Sequence, residues 1–448
     1  MDTLEARLPS AEAFQTEAEI IAAADAAIAG GVVSINRKVD PKHVFKRAKG
    51  SKLWDINGRE FIDFHAAFAP YILGHNCDAV NDAAIASIRS DWSLTGSGPT
   101  PWETHLADML RHIIPSVDRV QLCNTGSEAT AHAIRLSRAW TGRDDIILIL
   151  GGYNGSHDVV ARATQPPLDA VGPRVSPGEY AFPAASAGIP ESTKDGVHLI
   201  NFNDLSSLEH VLQTNDIACI LLEPVMQNVG VVLPQEGYLA GVKALCRKYG
   251  AVCVFDEVKT GFRSALGGYQ SVCEVTPDLS VFGKAIANGY PMAVIGGRAD
   301  IIDQFDHPAP EKRVLIAGTY NAHPINCAAA IATIEFMVRE DVFNVLEQRG
   351  AAFHAELNTI FNDAGVPART VRNASAFCTY FMDHDPVDWH DILQHHNFEL
   401  DRNYRLNLLN NGIYQLPVPA KQGSISYAHS AEDMEKTLEA TRRVVRSL

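Results

Sequence analysis

The chain has 448 residues, 46% apolar and 20% charged, with 32 Gly and 23 Pro; this is ordinary globular composition and enough chain for a two-domain enzyme. Thirty-eight Lys and Arg against 53 Asp and Glu leave a net charge of −15. That balance excludes an extended nucleic-acid face and binding to anionic lipid, while a few local cations or helix N-termini can still hold a small anionic substrate. The eight cysteines are scattered without a C-x-x-C pair; several, such as Cys219 and Cys253, sit in apolar runs and read as buried free thiols. The opening MDTLEARLPSAEAF carries acids and no apolar core, unlike a signal peptide, and no apolar run reaches the ~20 residues of a membrane span. The expectation is a soluble, cytoplasmic protein with neither a membrane nor a nucleic-acid partner.

Residues 10–29 read as a helix with Ser10 as N-cap and Gly30 and Gly31 as the stop. LWDINGREFIDF (53–64) reads as a hairpin whose Asn57 and Gly58 supply two positive-φ positions. From about residue 80 to 300, apolar runs at 144–150, 216–224 and 251–257 alternate with helical patterns, such as Tyr238, Val242, Leu245 and Tyr249. Continuous apolar strands between helices predict an α/β fold, with a mostly parallel sheet covered on both faces. Between 161 and 197 the chain holds Pro166, Pro167, Pro173, Pro177, Pro183 and Pro190 together with four glycines, which predicts either a functional lid or disorder. Short strands and helices follow 330. The last helix begins at Ser430, with Asp433 completing a capping box and Met434, Leu438, Thr441 and Val445 on one face.

Three features carry chemistry. Thr125, Gly126 and Ser127 form a small polar turn running into a helix, where free N–H groups and hydroxyls make a phosphate cradle. Asp256 stands at the end of an apolar strand, where a carboxylate can pair with a positively charged ring nitrogen. Lys284 lies between an apolar segment and a Gly-rich turn, where lost hydration lowers its pKa and frees the amine to form a Schiff base. Each has a plain structural reading when taken alone: a capped helix, an exposed strand-end acid, a surface lysine.

In this order, and with GGVVSINR (30–37), NTGSEATAHAIRLSRAWTGR (124–143), FDEVKTGFR (255–263), VTPDLSVFGKAIANGYPMAVIGG (275–297) and GTYNAHP (318–324), they resemble the class III pyridoxal-phosphate-dependent aminotransferases of fold type I. The likeness is strongest to the glutamate-1-semialdehyde aminomutase-like branch and covers nearly the whole chain. It implies a large three-layer cofactor domain at 80–325, with residues 1–79 and 326–448 contributing to a smaller α+β domain. By resemblance, Lys284 holds the cofactor as a Schiff base and then serves as the proton-transferring base, while Asp256 keeps the pyridine nitrogen protonated. Tyr153 and Val258 cover the two ring faces. Thr125, Gly126 and Ser127 hold the phosphate, which Thr319 reaches from the partner subunit of a homodimer with shared active sites. Glu223 and Asn228 lie near the phenolic oxygen, with a structural strand-end role for Glu223 equally open.

Ser34 and Arg37 match the S-x-x-R segment that anchors a substrate carboxylate in that branch; the plain alternative is a solvated loop arginine beside Lys38. The branch's C-terminal segment carries a glutamate, whereas PAKQGSISYAHS (419–430) places Lys421 or a neighbour there. This favours a ping-pong transaminase, moving an amino group from an amino donor to a keto-acid or aldehyde acceptor, over the aminomutase. A non-catalytic binding protein that kept the fold is the third reading. Two departures stand out: Tyr153-Asn154-Gly155 replaces the common Tyr-His-Gly, and GTYNAHP replaces GTLSGNP. Both are expected to bear on substrate choice and to leave the lysine–aspartate pair untouched. Trp54, Phe64, Phe68, Tyr71 and Trp92 are available either to a bulky apolar substrate group or to the core.

Overall fold

A computed structural model describes residues 15–162, 164–180 and 184–448, so the expected cap Ser10 lies outside the described residues. The first helix is Glu17–Ala27, shorter than expected at both ends. Its cap is Thr16: the Thr16 hydroxyl accepts the Glu19 N–H, and the Glu19 carboxylate accepts the Thr16 N–H.

Strands β1 (Phe45–Lys49), β2 (Lys52–Asp55) and β3 (Glu60–Asp63) form an antiparallel meander. The β2–β3 hairpin is the expected one, but its turn differs. Asp55 accepts the N–H groups of Asn57 and Arg59 (both 2.9 Å). Gly58 donates back to the Asp55 carbonyl, and of the two central residues only Gly58 is left-handed, at φ 85°. An aspartate at the first position captures the turn amides and selects a longer turn over the two-residue mirror-image form.

The main sheet contains β4 (Arg119–Cys123), β5 (Asp145–Ile149), β6 (Val197–Ile200), β7 (Ile217–Leu222), β8 (Val252–Glu257), β9 (Leu279–Phe282) and β10 (Ala293–Gly297), in the order β4-β10-β9-β8-β7-β5-β6. β10 runs antiparallel to both neighbours; the remaining pairs are parallel. The predicted apolar runs are β5, β7 and β8, and β7 and β8 are buried along their whole length. The helix Gly126–Thr141 covers one face and buries Ala129, Ala133 and Leu136. Tyr238–Tyr249 is helical as expected, with Tyr238 and Val242 buried.

Beyond the main sheet come β11 (Arg369–Asn373), β12 (Ala376–Tyr380), β13 (Ile413–Tyr414) and β14 (Gly423–Ser424). β13 pairs in parallel with β3, so the two ends of the chain share one sheet; β11, β12 and β14 form another. The helix Ala431–Val445 carries the expected Ser430–Asp433 box and buries Leu438, Thr441 and Val445. All eight cysteines are free, and six are buried. Among the described residues no helix is long and apolar enough to cross a membrane.

Within the Pro-rich stretch, where residue 163 and residues 181–183, Pro183 among them, lie outside the described residues, the segment 166–174 packs against the helix Trp389–His395. Trp389 Nε1 donates to the Pro166 carbonyl (2.9 Å), His390 Nε2 lies 3.0 Å from the Gly172 carbonyl, and Arg174 pairs with Asp388.

Candidate active site

The carboxyl ends of β4, β5, β7, β8 and β9 converge on a cavity of about 770 Å³, the position at which open α/β sheets take ligands. Thr125, Gly126, Ser127, Tyr153, Glu223, Asn228, Asp256, Val258, Lys284 and Arg37 all line it. Ser34 does not: it precedes the tight turn Ile35–Arg37, which carries Ile35 to Lys38 past the cavity and leaves Ser34 one residue outside. Thr319 also lies outside this chain's cavity and is exposed.

Asp256 and Lys284 come from neighbouring parallel strands. In the β8–β9 register Asp256 stands opposite Val281, and Lys284 follows two residues after β9 ends. Asp256 is 3% exposed. Its Oδ2 accepts the Asn154 amide (2.7 Å) and its Oδ1 accepts the Val258 N–H (3.1 Å). Burial, reinforced by the neighbouring Glu223 carboxylate, pushes its pKa up to about 6 against these hydrogen bonds and the Lys284 charge. No cation sits within ion-pair distance of it among the described residues.

Lys284 is half-buried and takes a left-handed backbone, φ 49°, a conformation costing a non-glycine residue roughly 1–2 kcal/mol. Among the described residues its amine has no hydrogen-bond or ion-pair partner. Burial lowers its pKa against the pull of Asp256 and Glu223. The next side chain along β8 points the other way: Glu257 is fully buried and accepts the N–H groups of Tyr269 and Gln270, which makes it structural.

The polar turn at the head of Gly126–Thr141 divides its donors. The Thr125 hydroxyl caps the Glu128 N–H (3.3 Å), and Glu128 accepts the N–H groups of Asn124 (2.7 Å) and Thr125 (2.9 Å). Thr125 therefore serves the helix, and the first-turn amides left for an anion are those of Gly126 and Ser127. Ser127 Oγ accepts the Ser156 N–H (3.1 Å), adding a second loop to the cradle. Two glycines make this approach possible. A Cβ on Gly126 would stand 3.0 Å from Val258, and one on Gly155 (φ 122°) would stand 3.0 Å from the Ser127 Cα and Oγ.

Glu223 is buried and fully used: it accepts the Tyr153 N–H (3.2 Å), the Asn228 amide (2.9 Å) and the Gln227 N–H (2.9 Å). It fixes the turns that present Tyr153 and Asn228 to the cavity. Of the five aromatics, only Phe68 lines it; Phe64 is core, Trp54 lies under Arg47, Tyr71 packs on His75, and Trp92 is 40% exposed. Phe68 is delivered by a run of left-handed residues, Ala66 to Ala69, pinned by Asp63 on the Ala66 N–H and by Arg263 on the Ala69 carbonyl.

The structure also adds residues and corrects one expectation. Asn154 donates directly to Asp256, so the departure at 154 does touch the lysine–aspartate pair. The other departure reaches the phosphate turn, since Asn321 Oδ1 accepts the Asn124 amide (3.0 Å). Lys259 and Gln165, which no sequence motif marks, line the cavity, and Lys421 joins them from the C-terminal segment.

The class-III aminotransferase family model matches residues 34–425. The chain belongs to that family. A curated relative, the glutamate-1-semialdehyde 2,1-aminomutase of Syntrophobacter fumaroxidans, is 37% identical over 419 residues, 92% of this chain and 93% of that protein. Among solved structures, an omega-transaminase from Sphaerobacter thermophilus has a TM-score of 0.87 at 27% identity, covering 97% of this chain and 98% of that one. A glutamate-1-semialdehyde aminomutase from Pseudomonas aeruginosa has a TM-score of 0.84 at 26% identity, covering 95% and 93%. The fold is therefore that of the pyridoxal-phosphate-dependent transaminases, the protein is an enzyme, and its cofactor is pyridoxal phosphate. The cavity suits that group: among the described residues a buried carboxylate lacks a cation and a lysine amine lacks a partner, and helix-start amides flanked by glycines face the cavity.

Proposed function

We propose that this aminotransferase moves an amino group between a carboxylate-bearing amine and a keto acid in two separable, ping-pong half-reactions. One observation carries the reading: a lysine amine and a buried aspartate, which among the described residues have no partner and no cation respectively, share one cavity with an anion cradle. The cofactor ring supplies, when bound, a sink for negative charge developing on the substrate carbon.

The protein's residues have distinct parts. Lys284, whose amine burial makes easier to deprotonate, would hold the cofactor and would be the base that takes and returns the substrate's proton. Asp256 holds the proton on the ring nitrogen, a charge-assisted pairing that lowers the cost of its own burial. The Gly126 and Ser127 amides would take the phosphate, and Tyr153 and Val258, which line the same cavity, would hold the ring. Arg37 offers a fork of donors to the substrate carboxylate. Thr319, outside its own chain's cavity, serves the partner's site in a homodimer. Residues 80–325 form the cofactor-binding domain, and 1–79 with 326–448 form the second.

The aminomutase is the second reading, supported by the names of the curated relatives. Against it stands the C-terminal segment. The one acid between residues 400 and 431 is Asp401, which is buried in an ion pair with Arg405 and is not a cavity residue; Lys421 lines the cavity instead. A panel of amino donors added singly to the holoenzyme tests the choice. Loss of the cofactor's visible band with one equivalent of keto acid released is expected from an ordinary amino acid. Conversion by glutamate-1-semialdehyde or 4,5-diaminovalerate alone would establish the mutase instead.

A further inference from the structure

Lys421 is held unusually firmly for a cavity lysine. Its carbonyl accepts Arg405 Nη2 (2.9 Å), and the preceding Ala420, in a left-handed conformation, donates its N–H to Asp401 Oδ2 (2.7 Å). Asp401 and Arg405 are paired at 2.6 Å with both side chains at most 2% exposed, and His396 closes on Asp401 from the other side. A buried ion network thus fixes the turn that aims this one side chain. Yet its ammonium meets only neutral acceptors, Gln165 Oε1 (2.5 Å) and the Asn228 carbonyl (3.2 Å), and among the described residues it has no ion pair. A half-buried ammonium without a counter-ion is a standing cost, and here it lies on the wall of the substrate cavity, which Arg37 also lines.

We infer that Lys421 is the counter-cation for a second acidic group on the substrate, so that the site takes a dicarboxylic amino or keto acid with one carboxylate on Arg37 and the other on Lys421. This rests on the transaminase reading above. Gln165 and Asn228 act as placeholders: their oxygens satisfy the ammonium until the anion arrives, and an acid group between them replaces neutral acceptors by a charge-assisted bond. Burial, with Arg405 nearby, brings the Lys421 pKa down to about 8; it therefore stays mostly protonated at neutral pH, and a bound anion stabilises that charge further.

The test uses holoenzyme and two unreactive probes, glutarate and butyrate, whose binding is read by calorimetry and so does not depend on turnover. Wild type is expected to bind glutarate at least ~10-fold tighter than butyrate. Lys421→Gln keeps donors for Gln165 and Asn228 but removes the charge; it should abolish the preference with butyrate affinity unchanged, and Lys421→Arg should retain it. Equal binding of the two probes by wild type, or an equal loss of both in Lys421→Gln, would overturn the assignment. The donor panel separates this from failure of the transaminase reading: a monocarboxylic donor that reacts while the glutarate preference is absent refutes the second acid site alone.

Discussion

Replacing Asp256 by Asn should stabilise the cofactor-free protein at neutral pH while removing its grip on the cofactor. Asp256 is buried, paired among the described residues only with the Asn154 amide and the Val258 N–H, and its pKa rises from the ordinary 3.8 to about 6. Because the folded value lies above the unfolded one, the folded state keeps a proton between those pH values that the unfolded chain has lost. Stability contributed by this group is therefore full below pH 4 and falls as pH rises through 6. The gap from 3.8 to about 6 amounts to roughly 3 kcal/mol at about 1.4 kcal/mol per tenfold. Asn has one acceptor oxygen where the carboxylate has two, so one of the two hydrogen bonds is lost, at about 1 kcal/mol. The net gain at pH 7–8 is about 2 kcal/mol, shrinking below pH 5 until the lost hydrogen bond leaves the variant slightly the weaker. Urea unfolding of both cofactor-free proteins from pH 4.5 to 8 reads this directly. A pH-independent difference, or an Asn variant less stable at pH 8, would refute the view that this carboxylate is held at a cost for the sake of a cation.

Asn154→Ala removes an amide that stabilises the charged form of Asp256, a hydrogen bond to a charged group worth about 1.5–3 kcal/mol. The acid limb of cofactor affinity against pH should move up by about one pH unit or more, measured by titrating the cofactor-free protein with pyridoxal phosphate; an unmoved limb would show that Asn154 only fills space. Gly155→Ala places a Cβ 3.0 Å from Ser127 in a backbone at φ 122°, so it should weaken binding of both pyridoxal phosphate and inorganic phosphate at least ~10-fold, a loss of about 1.4 kcal/mol. Equal affinities in the two proteins would remove Ser127 from the cradle.

Much of the fold is legible in the sequence. The runs that became β5, β7 and β8 are apolar because both faces are covered, and Asp256 and Lys284 were visible as polar residues breaking such runs at the ligand-bearing edge. The Ser430–Asp433 cap was equally plain, since a capping box is local. What failed locally did so through competition for amides: Asp55 captured the hairpin turn from Asn57, and Glu128 drew Thr125 into capping. What was missed in the site is non-local. Asn154 follows β5 and Asp256 is the penultimate residue of β8, with β7 between the two strands and 102 residues of sequence between the partners of the hydrogen bond. Lys421 reaches the cavity only because Asp401 and Arg405 fold the C-terminal turn back onto it. Lys259 is buried against the Gln227 carbonyl and Gln422, with no periodicity to announce it.

Lys284, rather than Lys259 or Lys421 deep in the same cavity, is the proposed carrier of the cofactor. Borohydride reduction of the holoenzyme, followed by peptide mass mapping, decides it. The pyridoxyl mass is expected on the peptide containing Lys284 and is expected to be absent in Lys284→Ala. A modification found instead on Lys259 or Lys421, or none at all on a protein saturated with pyridoxal phosphate, would contradict it.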